Sequence, residues 1–306
     1  MKKKILLPIY LVLSLIIIVS AVVVSLTAGI NLGIDFVGGK QIEIQIPENA
    51  NINDYSTKIS DVLDDYELKI NTSFVEDKYT NTYYVVKINT QELSAEEKLE
   101  IREKIANTLS VEISNVSEVF DISGNVKQKT VISIGVGVIV AFVALFIAGW
   151  LRYGIMEGLG IMFGAIHNMI ISFACLVLTR IELSISTCAS IAILSICFVG
   201  LFVLVLERAR ETLISKTNNT LEVMNVYSNA LKSNIFIPVV LLAILLFSVA
   251  TLFVNSNAIV LFALSAIVCV VVAFYSLLVT TALTGYLSEA KAIRDRENLS
   301  KNKTNN

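Results

Sequence analysis

The sequence predicts an integral membrane protein, mainly α-helical, with six transmembrane helices and one extracytoplasmic α+β domain of ferredoxin-like type between the first and second helices. Hydrophobic residues make up 55% of the 306 and charged residues only 16%, far from the balance of a soluble domain. The apolar residues are gathered into runs nearly free of charge: Ile5 to Gly29, Thr130 to Trp150, Gly158 to Thr179, Leu183 to Leu206, Ile235 to Val254 and Ala258 to Leu283. Each is long enough, at about 20 helical residues, to cross a hydrocarbon core of about 30 Å. The one long polar stretch, residues 31–129, lies between the first two runs.

The first run follows Lys2, Lys3 and Lys4. At about 25 residues it exceeds the roughly 7–15 of a signal-peptide core, and Leu26-Thr27-Ala28 makes a poor cleavage site, so an uncleaved anchor is expected. The loop charges set the topology. Placing the N-terminus in the cytoplasm puts the starting lysines, Arg152, Arg208, Arg210, Lys216, Lys232 and the tail cations Lys291, Arg294, Arg296, Lys301 and Lys303 on that side, as the positive-inside rule requires. The opposite short loops hold only Arg180. Both termini are expected inside and residues 31–129 outside, in the cytoplasmic (inner) membrane of the cell.

The polar region reads element by element. Gln41, Glu43 and Gln45 alternate with Ile42, Ile44 and Ile46, the period of a half-buried strand, which stops at Pro47. A helix is expected from Ile52 to Tyr66, with Tyr55, Ile59, Leu63 and Tyr66 on one face. Strands follow near Lys69 to Glu76 and Tyr83 to Asn89, parted by a polar turn around Lys78 to Asn81. Ser94-Ala95-Glu96-Glu97 fits a capping box that opens a helix through Leu109, with Leu99, Ile101, Ile105 and Leu109 as candidate core. A last strand near Ser117 to Ile122 completes a β-α-β-β-α-β order, which implies helices on one face of an antiparallel sheet. The expected organisation is therefore residues 1–30 as tail and first helix, 31–129 as the outer domain, 130–285 as a five-helix bundle and 286–306 as a charged tail.

Cys175, Cys188, Cys197 and Cys269 all fall in expected spans without metal-ligand spacing, and read as small packing residues. With a single histidine, His167, neither a His-rich zinc site nor a Ser-His-Asp arrangement is available. Gly33-x-x-x-x-Gly38 lacks the Lys-Ser/Thr ending of a P-loop. The outer domain is acidic, against nucleic-acid binding. No catalytic residue, cofactor or metal is expected.

Three short motifs carry more. After the first span come Gly33, Ile34, Asp35, Phe36, Val37, Gly38 and Gly39, where paired glycines permit a tight turn and Asp35 can cap local amides. The fourth span ends in Val203-Leu204-Val205-Leu206 and then Glu207, Arg208, Ala209, Arg210 and Glu211, a helix emerging from the bilayer with Glu207 and Arg210 three apart. The sixth contains Ala273-Phe274-Tyr275-Ser276, whose hydroxyls can bond between helices. In the third, Gly160 and Gly164 have the spacing of close helix packing.

The segment Gly33–Gly39 resembles the Gly-Ile-Asp-Phe-x-Gly-Gly of SecF proteins, in the SecD/SecF family of the resistance-nodulation-division superfamily. The run through Glu211 is similar to that family's Val-Val-Val-Phe-Asp-Arg-Ile-Arg-Glu, and Tyr275-Ser276 to its Gly-Thr-Tyr-Ser-Ser. The resemblance implies an auxiliary subunit of the Sec protein translocase, with a SecD-like subunit, the SecY channel complex and exported polypeptides as partners, in contact with membrane lipid. It also implies an outer domain that moves against the bundle, with Gly33, Gly38, Gly39 and Ser123-Gly124-Asn125 as candidate hinges. The chain departs from the family where coupling to protons is expected. The third span has His167-Asn168 in place of His-Asp, and the fourth has Gly200-Leu201 in place of Asn-Asp. An intramembrane carboxylate is costly and marks function, and the five spans after the domain have no Asp, Glu, Lys or Arg in their interiors. His167 is then the single candidate proton carrier. Against that, bonded to Asn168 or to a backbone carbonyl it would be an ordinary interior residue, the favoured reading, so that a SecD-like partner is expected to carry the proton current or export assistance to be uncoupled from protons. Two other readings stand beside this one: a half-size transporter of the same superfamily for a lipid or small hydrophobic molecule, and a structural scaffold subunit.

Overall fold

The structure is a computed structural model that describes residues 2–47, 51–66, 68, 70–78, 81–88, 93–122, 128–215, 223–234, 236–253 and 257–304. Helix α1 (Lys2–Thr27) leads through a single turn, α2 (Ile34–Val37), into β1 (Gly39–Ile46), α3 (Ile52–Asp64), β2 (Ile70–Lys78), β3 (Asn81–Ile88), α4 (Ala95–Leu109), a 3₁₀ turn (Ile113–Asn115) and β4 (Phe120–Ile122). The bundle follows as α5 (Gln128–Tyr153), α6 (Ile155–Leu178), α7 (Ile185–Ser215), α8 (Val223–Ser233), α9 (Phe236–Thr251) and α10 (Asn257–Thr304).

The small domain has the expected order. Its sheet runs β2-β3-β1-β4 with every pairing antiparallel, and the apolar positions of β1 determine its face. Ile42, Ile44 and Ile46 point with Tyr84, Val86 and Ile88 of β3 into a core closed by Ile59, Val62 and Leu63 of α3 and Ile101, Ile105 and Ala106 of α4. Both helices start where side chains take up orphan amides. Asn51 accepts from the Asn53 amide, and Ser94 and Glu97 form the reciprocal capping box at 3.2 and 2.8 Å. The backbone amide of Ser94 holds the Glu97 carboxyl below its ordinary value. At the sheet edge Lys40, itself buried, pairs with Asp121 and keeps that carboxyl below its usual range.

Three expectations change in this domain. The last strand is only Phe120–Ile122, because the Ser117 hydroxyl takes the Glu43 amide, and Val116 makes an isolated bridge to Ile44 instead of continuing the ladder. The helix expected to reach Tyr66 ends at Asp64. Leu99, expected in the core, is 53% exposed, because Ile101 and Ile105 already define the inward face of α4. The turn residues between Lys78 and Asn81 lie outside the described residues.

The bundle is built on α6, α7 and α10. Phe198, Phe202 and Val205 of α7 pack with Ala266, Ala273 and Leu277 of α10 in one continuous core that also takes in Tyr227 of α8. Gly160 and Gly164 sit against Thr284 and Thr280 of α10; a Cβ at Gly164 would lie 2.6 Å from Thr280 Cγ2, so glycine is what lets these helices meet. Helix α5 packs along α6 and leaves Ile132, Ile139, Val140 and Leu151 more than half exposed. Such an apolar surface calls for lipid rather than water.

Among the described residues, five helices are long and apolar enough to cross a bilayer alone. The fifth expected span, Ile235 to Val254, holds a 16-residue helix, α9, which reaches spanning length only together with α8, from which it bends by 46°. The expected tail is no separate unit, for α10 runs 48 residues without a break, about 72 Å. Of the four cysteines only Cys269 is buried, whereas Cys188 is exposed in the first turn of α7.

Candidate functional site

The Gly33–Gly39 segment is a strap across the turn between α6 and α7. Leu32 and Leu183 form a parallel bridge, in which the Gly33 amide donates to the Leu183 carbonyl at 2.9 Å and the Leu183 amide to the Asn31 carbonyl at 2.8 Å. The Asn31 side chain donates to the Arg180 carbonyl at 2.9 Å, and the Arg180 guanidinium reaches back to the carbonyls of Ala28 and Gly29 at the end of α1. Asp35 completes the strap. Its Oδ2 accepts from the amide of Ile185, the first residue of α7, at 3.0 Å, where a helix leaves donors unsatisfied and its dipole favours an anion.

Each motif glycine has its own steric reason. A Cβ at Gly33 would run into the Glu182 carboxylate, and one at Gly39 into the Ile88 carbonyl across the sheet. Gly38 has φ of 81°, a conformation that favours glycine. Ile34 is buried beneath the turn and contacts the Gly39 position, while Phe36 and Val37 close the single turn on the Gly33 carbonyl. These glycines are therefore packed and bonded positions. The matching candidate hinge, Ser123-Gly124-Asn125, lies outside the described residues.

Midway along α6 the bundle contains a polar cluster without charge partners. His167 Nε2 lies 2.9 Å from Ser14 Oγ of α1, and its Nδ1 lies 3.1 Å from Ser276 Oγ of α10. Ser14 Oγ lies 2.7 Å from Tyr275 Oη, which donates to the Tyr10 carbonyl at 2.6 Å. Tyr275 and Ser276 thus bond between helices as their hydroxyls suggested. His167 is not bonded to Asn168 or a carbonyl, as was expected, but to hydroxyls on two other helices, because its position on α6 faces the junction of α1 and α10. Asn168 instead donates to Ser195 of α7 at 3.2 Å, and its Oδ1 is buried without a partner. On α7, Gly200 opens outward with nothing near it and Leu201 is buried in the core, so these two positions contribute no polar group to the cluster.

At the far end from the small domain, Glu207 Oε1 accepts from Arg152 Nη2 at 2.6 Å, from Arg152 Nε at 3.1 Å and from Tyr153 Oη at 2.9 Å. The anticipated partner of Glu207 along its own helix, Arg210, gives way to this fork from α5. The pair within the helix is Arg208 with Glu211, at 3.0 Å, and Arg210 is exposed. A second carboxylate joins the same end: Glu157 Oε1 accepts from Tyr227 of α8 at 2.8 Å and from Ser288 of α10 at 2.9 Å.

Sequence reasoning passed over Ser14, Leu183, Glu157 and Tyr227 and used Arg180 only to set the topology. A serine inside the most apolar run and a carboxylate in the first turn of a membrane helix were the visible signals for Ser14 and Glu157. The strap partners had none, since they lie about 150 residues from the motif they hold.

A family model described as the SecD/SecF GG motif matches residues 23–46, and one described as protein export membrane protein SecD/SecF, C-terminal, matches residues 101–290. The protein translocase subunit SecF of Petrotoga mobilis is 22% identical over 204 residues, 66% of this chain and 68% of its own length. The SecF subunit of Calditerrivibrio nitroreducens is 21% identical over 270 residues, 87% of each chain. The crystal structure of SecDF in its super-membrane-facing form superposes with a TM-score of 0.71 at 20% identity, over 97% of this chain. This chain spans 39% of that solved SecDF chain. With a strap built on the family's glycine motif, and with the C-terminal family model covering well over half its length, the chain belongs to the SecD/SecF family of protein export membrane proteins.

Proposed function

We propose that the chain acts as a SecF-like auxiliary subunit of the Sec protein translocase, assisting export across the cytoplasmic membrane beside a SecD-like subunit and the SecY channel. In this reading it is not an enzyme. Both termini lie in the cytoplasm, residues 31–129 form the extracytoplasmic domain, 130–285 the membrane bundle and 286–306 the charged cytoplasmic tail. The observation that carries the reading is the strap. Asp35 and Gly33 tie the entry of the outer domain to the first turn of α7, so a shift of the α6–α7 hairpin displaces the domain with it. An export subunit needs such a linkage between membrane and exterior.

The interior supports a division of labour. Where the family pattern has carboxylates, this bundle has His167 and Asn168 bonded to neutral hydroxyls and the apolar pair Gly200-Leu201. The proton current, where export draws on one, passes through the SecD-like partner. Extraction in mild detergent followed by identification of copurifying proteins tests the assignment. Recovery of SecD-like and channel subunits supports it, whereas a chain that purifies alone while export proceeds undisturbed by its deletion overturns it. Export measured with and without a proton gradient in His167→Ala cells tests the division of labour, and a strong defect from that substitution alone would sink it.

A further inference from the structure

The domain of residues 31–129 carries 18 acidic and 10 basic residues, with one arginine, Arg102. That arginine lines a groove of about 390 Å³ together with Ala95, Lys98 and Leu99 of α4 and Glu118 and Val119 of the segment leading into β4. The volume falls in the range of sites that hold ligands. Val119 is buried, and Leu99 stands 53% exposed on a helix whose other outward residues are mostly charged. Ile113, 43% exposed, continues the apolar surface beyond Arg102.

The charge of the groove is fixed in place. Arg102 Nε donates to the Val116 carbonyl at 2.8 Å and Nη2 to the Ile113 carbonyl at 3.1 Å. Both acceptors are neutral, so the guanidinium is oriented while no carboxylate among the described residues pairs with it. Its remaining N–H groups can serve an incoming acceptor, and a planar guanidinium suits a carboxylate. Lys98 is 3.6 Å from Asp121, a carboxylate that Lys40 already holds. One carboxylate is thus shared by two ammonium groups, and among the described residues Glu118 alone lines the groove with negative charge. Apolar wall and uncompensated cation lie side by side on an otherwise acidic domain, which is the complement of an apolar side chain next to a carboxylate.

We propose that this groove docks an extended segment of exported polypeptide in which an apolar side chain stands beside an aspartate or glutamate. The apolar side chain lies on Leu99 and Val119 and the carboxylate meets Arg102 and Lys98. The proposal rests on the reading of the chain as a translocase subunit, since that reading is what brings unfolded polypeptide to this domain.

The test uses the full chain in nanodiscs of neutral lipid and two fluorescent peptides with the same apolar residues, one carrying glutamates and the other lysines between them. Anisotropy titrations are expected to show about tenfold tighter binding of the acidic peptide, and Leu99→Ser or Arg102→Gln to remove about that factor. Leu99 is half exposed and makes no polar bond, so its substitution leaves the fold intact where loss of the Arg102 bonds does not. A photoreactive acidic peptide should label α4. Equal binding of the two peptides, or unchanged binding by Leu99→Ser, overturns the proposal. Anionic-lipid vesicles competing as well as peptide for the Lys98–Arg102 surface would also overturn it, by making the site one for a lipid headgroup. None of these results depends on a partner subunit, so they are separate from the copurification test of the translocase reading.

Discussion

Replacing Asp35 with alanine isolates the strap from everything else in the molecule. The carboxylate makes one bond across the interface, to the Ile185 amide at 3.0 Å, and its loss leaves the first donor of α7 without a partner. Removal of a side-chain cap of this kind costs about 1 kcal/mol, roughly a fivefold shift in a local opening equilibrium at 25 °C. The parallel bridge between Leu32 and Leu183 remains, and the Ser184 hydroxyl still serves the Thr187 amide at 3.3 Å, so the effect stays at the entry of α7. Hydrogen-exchange mass spectrometry of the purified chain should show peptides covering residues 180–187 exchanging about fivefold faster, with the cores of α6 and α10 unchanged. Asp35→Asn keeps an acceptor and should restore most of the protection. Unchanged exchange at the α6–α7 turn in Asp35→Ala, or an increase spread evenly over the bundle, would refute the assignment of Asp35 as the tie between strap and helix.

Gly164→Ala, whose Cβ meets Thr280, should destabilise the bundle by about 1–3 kcal/mol, whereas Gly135→Ala on α5, where a Cβ meets nothing, should be neutral or stabilising through helix propensity; thermal denaturation in one detergent compares the two. A double-mutant cycle of Ser14→Ala with His167→Ala should give a coupling of about 0.6–1.7 kcal/mol, the range for hydrogen bonds between membrane helices, and a coupling of zero would remove the Ser14 contact from the account. Lys40 holds the Asp121 carboxyl below its ordinary value, so the stability it contributes is complete above that ordinary value and is lost as pH falls through the lowered one. An acid titration of the small domain's unfolding should accordingly show a limb that flattens in Asp121→Asn, and an identical acid limb in that variant would show that the pair does not contribute.

Much of the fold was legible because two periodicities and one length rule dictate it. The alternation of Ile42, Ile44 and Ile46 gave β1 and its buried face, and Ser94 with Glu97 placed the start of α4 to the residue. Apolar run length located the membrane helices. At α8 and α9 it located the apolar segment but not the bend, because hydropathy averages along the chain and does not register a bend between two short helices. Leu99 was misplaced for a related reason: helical spacing offers two candidate faces on α4, and only the position of the sheet determines which one is buried. The strap was half visible. The motif announced itself through its glycines, but what those glycines approach, Glu182 and Ile88, is set by tertiary packing.

The cluster around His167 shows how a membrane interior can hold an imidazole without a carboxylate. Tyr275 gives its proton to the Tyr10 carbonyl, and Ser14 can give its own to Tyr275 Oη at 2.7 Å. A neutral imidazole with its proton on Nε2 then donates to Ser14 Oγ, while the Ser276 hydroxyl donates to Nδ1. The opposite tautomer closes as well, with Ser14 donating to Nε2 and Nδ1–H donating to Ser276. In either arrangement every ring nitrogen is satisfied with no net charge, which removes the cost that a buried, unpaired ion would impose. The chain of bonds also ends on a backbone carbonyl of α1, which cannot accept and release a proton as a carboxylate does. What the cluster does join is three helices: α1, which is otherwise largely exposed along its length, α6, which carries the strap's turn at one end, and α10. The uncharged cluster therefore bonds α6 to α1 and α10, and the strap ties the small domain to the start of α7, which the same hairpin joins to α6.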